Sequence, residues 1–511
     1  MNYKLVFETV RHLKPTQLYY QLRHRLFHPR FRPCASPIDR VRAQIVPSIE
    51  KPLNQEGDTV EFLHIRDTFQ SWCMTEHGML WAYNLNYMDW LCQGNMTQEE
   101  GERWIDAFIN DFVANSIGQD AAPTALRCVN WMKFFMTHPN SATQERLDSL
   151  YSQICLLSRK LEYHLLGNHL LEDAFALFFA SVFFHDHRLY KKASKLLLEQ
   201  LKEQVLADGA HFEQSPMYHC IMLDRLLDCY NISTHNVVFA EQTVLNEKLK
   251  DTAESMLGHL MAIVYQDGSI PLLNDSAQGI APTSAELLEY ARRLQLEPRA
   301  LPLRECGYRK MQSEEMEAIV DIGNITATYQ PGHTHADTFT YELRVDGKPF
   351  IVDTGISTYD KTSRRQYERS TKAHNTVSIN GKNSSHVWGG FRVGKRARVK
   401  VETDSPSKIT AAHDGFGKLH TRSFTLNTEG FSVEDTIDSD SPAVSYIHLA
   451  PSLKALVVNS DRIEVGKHVI SFHGAEKIDI VQDFASTAYN CFEKIDVIEM
   501  HFHHQLSYTI Q

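Results

Sequence analysis

The sequence predicts an α+β multidomain chain: paired helices stacked as an all-α solenoid or closed toroid, followed by a β-sandwich. Three observations carry that prediction. Apolar residues recur with helical spacing from about residue 60 to 300. The pattern changes after about residue 303 to short alternating segments separated by turn signals. The length, 511 residues, is too great for one small core and makes two or three domains the default.

The elements follow in order. Residues 1–55 form a locally basic arm with Arg11, Lys14, Arg23, Arg25, Arg30, Arg32, Arg40 and Arg42, and Leu18, Leu22 and Leu26 mark a short amphipathic helix within it. A helical arm packed on the domain is the favoured reading over a membrane or polyanion contact. Residues 56–302 are the helical domain. Leu177, Phe178 and the aromatics after them read as a buried helix, and Ala193 to Leu198 and Met222 to Leu227 are periodic. Asp208-Gly209, Asp267-Gly268 and Pro271 punctuate the helices. There is no strict repeat, but helix pairs fit a solenoid or closed toroid. Residues 303–511 are the sandwich, with the boundary between Pro298 and Cys306. Strands are expected at Ala318 to Ile322, Thr338 to Leu343, Pro349 to Val352, Thr376 to Ile379, Arg398 to Val401 and Ile478 to Val481, with a hairpin turn at Asp346-Gly347.

Composition excludes several classes. Hydrophobic content of 43% and charged content of 23% are globular values. The formal charge of −11 argues against a general nucleic-acid binder, while a local basic cleft for an anionic substrate remains compatible with it. The nine cysteines are scattered, odd in number and without a Cys-X-X-Cys pair, so they read as reduced core thiols. Met1 to Glu8 lacks the apolar run and cleavage site of a signal peptide, and Ala174 to Phe184, the longest apolar stretch, is too short to span a bilayer. The expected location is therefore cytoplasmic, with the periplasm as the alternative, and no integral membrane segment is expected.

Three constellations carry chemistry. In Gly332-His333-Thr334-His335-Ala336-Asp337, strand alternation would put three active side chains on one face. An exposed strand face with chance histidines is the plainer alternative. His335, Asp353 and His374 then make a two-imidazole, one-carboxylate set suited to Zn²⁺. Arg364, Arg365 and Arg369 lie between the last two members, either as charge for an acidic sugar or as solvated surface. In Gly167-Asn168-His169-Leu170-Leu171-Glu172, helical spacing lets Asn168, His169 and Glu172 face one cleft, with Glu172 setting the tautomer of His169. A polar helix start with Asn168 near the N-cap is the alternative. The run Asp208 to His219 leads from a turn into a helix bearing Tyr218, which can exchange a proton if an electropositive cleft lowers its pKa.

From about residue 60 onward the chain resembles the heparinase II/III-like family of polysaccharide lyases. The matching pieces occur in order: Tyr83 to Trp90, Arg127 to Trp131, Gly167-Asn168-His169 with Glu172, Glu213 to Tyr218, Gly332 to Asp337, Val352 to Gly355 and Ala373 to Val377. The resemblance implies an N-terminal (α/α) toroid and a C-terminal antiparallel β-sandwich. It implies Tyr218 and His333 as the catalytic pair, with Asn168 and His169 meeting a uronate carboxylate. Glu172, Arg127, Tyr359 and Arg369 complete the expected substrate-binding set. In the family's zinc-bearing branch the ligands correspond to His335, Asp353 and His374, and the ion would be mainly structural.

The implied reaction is β-elimination on an acidic polysaccharide. The carboxylate is neutralised, Tyr218 or His333 takes the C5 proton, and Tyr218 protonates the departing O4. The lack of an evident export signal and the basic arm both depart from the pattern of degradative lyases, and they lead to the expectation of a role in bacterial capsule or exopolysaccharide metabolism. A toroid-type glycoside hydrolase using Glu172 and Glu213, and a non-catalytic glycan-binding or assembly protein, are the alternatives.

Overall fold

A computed structural model describes residues 3–511; the first two residues of the arm lie outside the described residues. The helical part runs through Met79–Tyr87, Gln98–Asp111, Ala121–Thr137, Gln144–Lys160, Gly167–Phe183, His187–Gln204, Pro216–His235, Gln242–Ile263 and Ser284–Arg293. Side-chain oxygens take up otherwise unpaired first-turn N–H groups at the starts of five of these helices. Thr97 accepts from Glu100, Thr143 from Arg146, Asp186 from Arg188 and Leu189, and Ser215 from Tyr218. Thr283 and Glu286 form a reciprocal capping box.

Helix Gly167–Phe183 is apolar nearly all round and buried on every face from Ala174 to Phe183, as expected of a helix enclosed by its neighbours. It packs against Ala121–Thr137, His187–Gln204 and Pro216–His235. Each fully buried phenylalanine among Phe175, Phe178, Phe179 and Phe183 contributes about 2 kcal/mol of transfer free energy. This is the (α/α) toroid.

The named strands of the second part all pair antiparallel. Its largest sheet has eight strands: Val399–Asp404, Lys408–His413, His420–Asn427, Gly430–Ile437, Gln505–Ile510, His468–His473, Arg462–Val465 and Ala455–Asn459, in spatial order. Two four-stranded sheets accompany it. One orders Lys477–Ala485, Glu493–Phe502, Ala443–His448 and Val377–Ile379; the other orders Tyr308–Gln312, Met316–Asp321, Tyr341–Val345 and Lys348–Ile351. Val345 pairs with Lys348 across Asp346 and Gly347, both at positive φ, so the Asp-Gly signal makes the tight hairpin it predicts. Separate apolar clusters core the toroid and the sandwich. The connecting segment is tied down by Asp208, whose carboxylate accepts from the N–H groups of Arg304 and Cys306.

Three expectations change. The arm is helical only over Tyr3–Val10 and Pro15–Leu26, and residues 27–54 run without helix or strand along the toroid. Hydrogen bonds from Cys34 to Ser152, Ser36 to Asp148 and Val46 to Asn231 hold that stretch. Residues 55–68 form a small three-stranded sheet before the first toroid helix. The segment carrying His333, His335 and Asp337 is a loop between the strands Met316–Asp321 and Tyr341–Val345. Strand alternation therefore does not place those side chains; tertiary contacts do.

Candidate active site

Two toroid segments and two sandwich segments meet at His333. The N-cap Ser215, followed by Pro216 in the first turn, starts the helix that carries Tyr218. Ser215 Oγ also donates to the Asp275 carbonyl at 2.6 Å, and Met217 N–H donates to Ser276 Oγ at 3.2 Å. These bonds fix residues 275 and 276 against the start of the helix. Gly167 opens the other toroid helix at φ +59°, where a β-carbon would sit 2.5 Å from Glu213 Oε1. The bare glycine lets that carboxylate reach Asn168 N–H at 2.8 Å.

Asp275 is the hub. It is fully buried and its two oxygens serve three residues of the sandwich. His333 Nδ1 lies 2.8 Å from Oδ2 and His335 Nε2 lies 2.7 Å from Oδ1. Arg365 grips both oxygens in a fork, at 2.5 and 2.7 Å. Burial would raise the Asp275 pKa, but Arg365 and the imidazole hydrogen bonds outweigh it and hold the group well below the usual carboxylate range. An ionised Asp275 accepts from both rings. It therefore keeps the proton on His333 Nδ1 and on His335 Nε2 and frees the opposite nitrogens.

The Tyr218 ring stacks on His333 with centroids 3.9 Å apart. Tyr359 donates its hydroxyl to Tyr218 Oη at 3.3 Å and lies 3.4 Å from His333 Nδ1. Burial pushes the Tyr218 hydroxyl well above its ordinary pKa, with the Tyr359 hydrogen bond opposing the rise, so Tyr218 is protonated at neutral pH. Glu213 Oε2 lies 3.4 Å from His333 Nε2, and burial raises its pKa.

The Asn168 side-chain oxygen is buried without a partner among the described residues. An orphaned buried acceptor is costly and suits a ligand hydroxyl that donates to it. The N-cap of this helix is Leu166, so Asn168 lies inside the first turn. His169 does not take its partner from Glu172. Its Nδ1 lies 3.2 Å from Glu162, which outweighs burial and raises the His169 pKa. Glu172 faces Arg225 at 3.5 Å.

Arg127 departs from the substrate-binding expectation. It is fully buried, donating to Gln153 Oε1 and to the carbonyls of Asn86 and Gly118; its guanidinium ties helix ends inside the toroid. The arginine run is not solvated either. Arg364 pairs with Glu368 at 2.8 Å, Arg365 with Asp275, and the buried Arg369 donates to the Thr334 carbonyl at 2.7 Å. Arg369 thus shapes the loop that bears His333 and has no open face for a sugar.

His335 and His374 approach with ring centroids 5.2 Å apart. His374 Nδ1 donates to Asp353 Oδ2 at 2.7 Å. His335 Nδ1 and His374 Nε2 are buried nitrogens without partners among the described residues, and burial pushes His335 down to about 3. Two imidazole lone pairs beside a carboxylate fit the donor chemistry of Zn²⁺. Asp353 meets His374 Nδ1 through Oδ2 and the Gly355 N–H through Oδ1, and His335, Asp353 and His374 do not bring three donor atoms within 4.8 Å of one another. Among the described residues, the sets that bring three donor atoms within 4.8 Å of one another are Asp208, His259 and Cys306, and Asp67, Glu76 and His77.

Asp275 and the structural use of Arg365 were not recognised from sequence. The available signal was Asn274-Asp275-Ser276, a polar triplet directly after the apolar Leu272-Leu273.

Comparison with known proteins bears on this geometry. Residues 127–295 match the Heparinase II/III N-terminus model and residues 296–506 the Heparinase II/III-like, C-terminal model. The heparin-sulfate lyase of Pedobacter heparinus is 26% identical over 334 residues, covering 59% of this chain and 48% of that protein. The heparin-sulfate lyase of Bacteroides thetaiotaomicron is 24% identical over 375 residues, covering 64% and 52%. The chain thus spans about half the length of these curated relatives. Among solved structures, a heparinase III matches with TM-score 0.66 at 16% identity over 83% of this chain and 76% of that one. The heparan sulfate lyase HepC from Pedobacter heparinus matches with TM-score 0.60 at 17% identity over 97% and 87%. At these identities the likeness is one of fold. With the two contiguous domain models laid over the toroid and the sandwich, the chain belongs to the heparinase II/III-like family.

Proposed function

We propose that the chain is a polysaccharide lyase that cleaves a uronic-acid-containing acidic polysaccharide by β-elimination. The observation that carries the reading is the stacked Tyr218–His333 pair with Asp275 behind the imidazole. Asp275 keeps the Nδ1 proton in place, so Nε2 of His333, which faces Glu213 at 3.4 Å, carries the lone pair that takes the C5 proton. Tyr218, held protonated by burial, donates its hydroxyl proton to the departing O4. The C5–H and C4–O4 bonds break, a C4=C5 double bond forms, and no water is consumed. Proton removal needs the uronate charge neutralised. Asn168, through the N–H of its side-chain amide, and His169, raised by Glu162, are the residues to do it. Tyr359 positions Tyr218 through its hydroxyl. The glycoside hydrolase alternative loses support because Glu172 faces Arg225, while Glu213 holds Asn168 N–H through Oε1 and turns Oε2 toward His333 Nε2.

His335, Asp353 and His374 would hold Zn²⁺, whose chemistry there is to brace the sandwich wall of the site. The two unpartnered imidazole nitrogens support this assignment. The reading extends to a bacterial capsular polysaccharide or exopolysaccharide as the uronate polymer.

The test is incubation with alginate, heparan sulfate, hyaluronan and bacterial capsule preparations while following the absorbance of the unsaturated uronate. At least one polymer should yield it, and Tyr218→Phe should abolish it with the fold intact. New reducing ends without ultraviolet absorbance would instead establish hydrolysis, and binding without product a glycan-binding protein.

A further inference from the structure

The arm packs with the face opposite to its leucines. In helix Pro15–Leu26, Gln17 donates to the carbonyls of Leu165 and Tyr329, Tyr20 stacks on Tyr163 at 4.7 Å, and His24 stacks on His164 at 4.2 Å. Those three positions share one helix face. Leu18, Leu22 and Leu26 lie on the other and are 45%, 59% and 76% exposed. The preceding helix, Tyr3–Val10, adds Tyr3 and Phe7, exposed at 79% and 68%. In helix Pro15–Leu26 large apolar side chains are thus concentrated on the outside while Gln17, Tyr20 and His24 do the packing, the reverse of an ordinary amphipathic helix.

Charge identifies the occupant. Residues 3–32 contain seven Lys and Arg and a single acidic residue, Glu8, in a chain of net charge −11. Arg25 lies on the leucine face, and the exposed side chains of Arg25, Arg30 and Arg32 have no hydrogen bond or ion pair among the described residues. A second copy of the same patch would bring like charges together. An acidic glycan would satisfy the arginines but leave the leucines in water. A bilayer with anionic headgroups answers both, since the leucines enter the acyl boundary and the arginines meet phosphate. The acidic body is repelled from the same surface, which leaves the arm as the point of contact.

The geometry points to the arm, through the outward face of helix Pro15–Leu26 and the helix before it, as a peripheral docking surface for an anionic membrane. The docking is independent of the reaction proposed above. The test is flotation of the full chain with neutral phosphatidylcholine vesicles and with vesicles in which about a third of the lipid is phosphatidylglycerol. The chain should float with the anionic vesicles and about tenfold less with the neutral ones, and salt should weaken the binding. Leu18→Glu with Leu22→Glu should abolish flotation while circular dichroism and thermal unfolding stay unchanged, because both side chains are exposed. Leu22→Phe should retain it. Absence of flotation with anionic vesicles overturns the proposal, as does equal flotation of the double variant. A dimer in light scattering that the double variant converts to monomer would assign the face to a second copy instead. Heparin binding unaffected by the double variant, without vesicle binding, would assign the basic residues to a glycan.

Discussion

His333 Nδ1 lies 2.8 Å from Asp275 Oδ2, so a carboxylate from the toroid's last loop sets the tautomer of an imidazole in the sandwich. The bond crosses the domain junction. The tautomer of His333 therefore depends on how the two domains are docked, as well as on the loop that carries the ring.

Asp275→Asn tests that dependence. The amide keeps the shape but presents a donor to one imidazole, which favours the wrong tautomer. We expect kcat to fall about 100-fold or more with little change in KM. Nitrogen NMR of the histidines should show the His333 proton moving from Nδ1 to Nε2. An unchanged tautomer together with unchanged activity would remove Asp275 from this role.

Tyr359→Phe removes the hydroxyl that donates to Tyr218. That bond opposes the burial that raises the Tyr218 pKa, so its loss should raise the pKa further. The alkaline limb of the rate profile should move to higher pH, with kcat reduced about tenfold. A rate profile superimposable on that of the parent would exclude the contact from the mechanism.

Zinc is testable without an activity assay. Elemental analysis of the purified protein should find about one zinc per chain, and His335→Ala and His374→Ala should each lose it. Metal-free protein with full activity and unchanged thermal stability would defeat the assignment.

Arg127→Ala should unfold the toroid more easily rather than weaken substrate binding. Its guanidinium satisfies Gln153 and the carbonyls of Asn86 and Gly118 in the interior. Leaving them unpaired should cost about 3 kcal/mol in denaturant titrations. A raised KM with unchanged stability would contradict the buried placement.

Acid stability should reflect buried neutral imidazoles. Burial lowers His211 to about 3 and His259 to about 4. For a base with a depressed folded pKa, the unfolded chain takes up protons first as pH falls below about 6.5. Stability is therefore full above that value and declines toward pH 3–4. Between pH 6.5 and 5 each group should cost about 2 kcal/mol. His211→Gln should flatten the decline in chemical denaturation, and a decline of the same slope in that variant would exclude His211 as a source.

The two-part architecture was legible because helical and alternating periodicities are local properties of the chain. Asp-Gly at 346–347 and Ser215-Pro216 likewise specify a turn and a helix start through their own backbone preferences. The residue types at Tyr218, His333, His335 and His374 raise proton and metal chemistry as expectations from the sequence alone. Their partners did not follow. Asp275 stands 58 residues from His333 and 90 from Arg365, and no spacing rule joins positions that far apart. Glu172 has the right helical separation from His169, yet Glu162 holds the ring because a tertiary approach brought it closer. Leu18, Leu22 and Leu26 form the stripe that periodicity predicts, but only packing decided that the stripe faces outward. Sequence determines which side chains an element carries and with what period; which face is buried, and which distant carboxylate meets which imidazole, is settled only when the toroid and the sandwich close on each other.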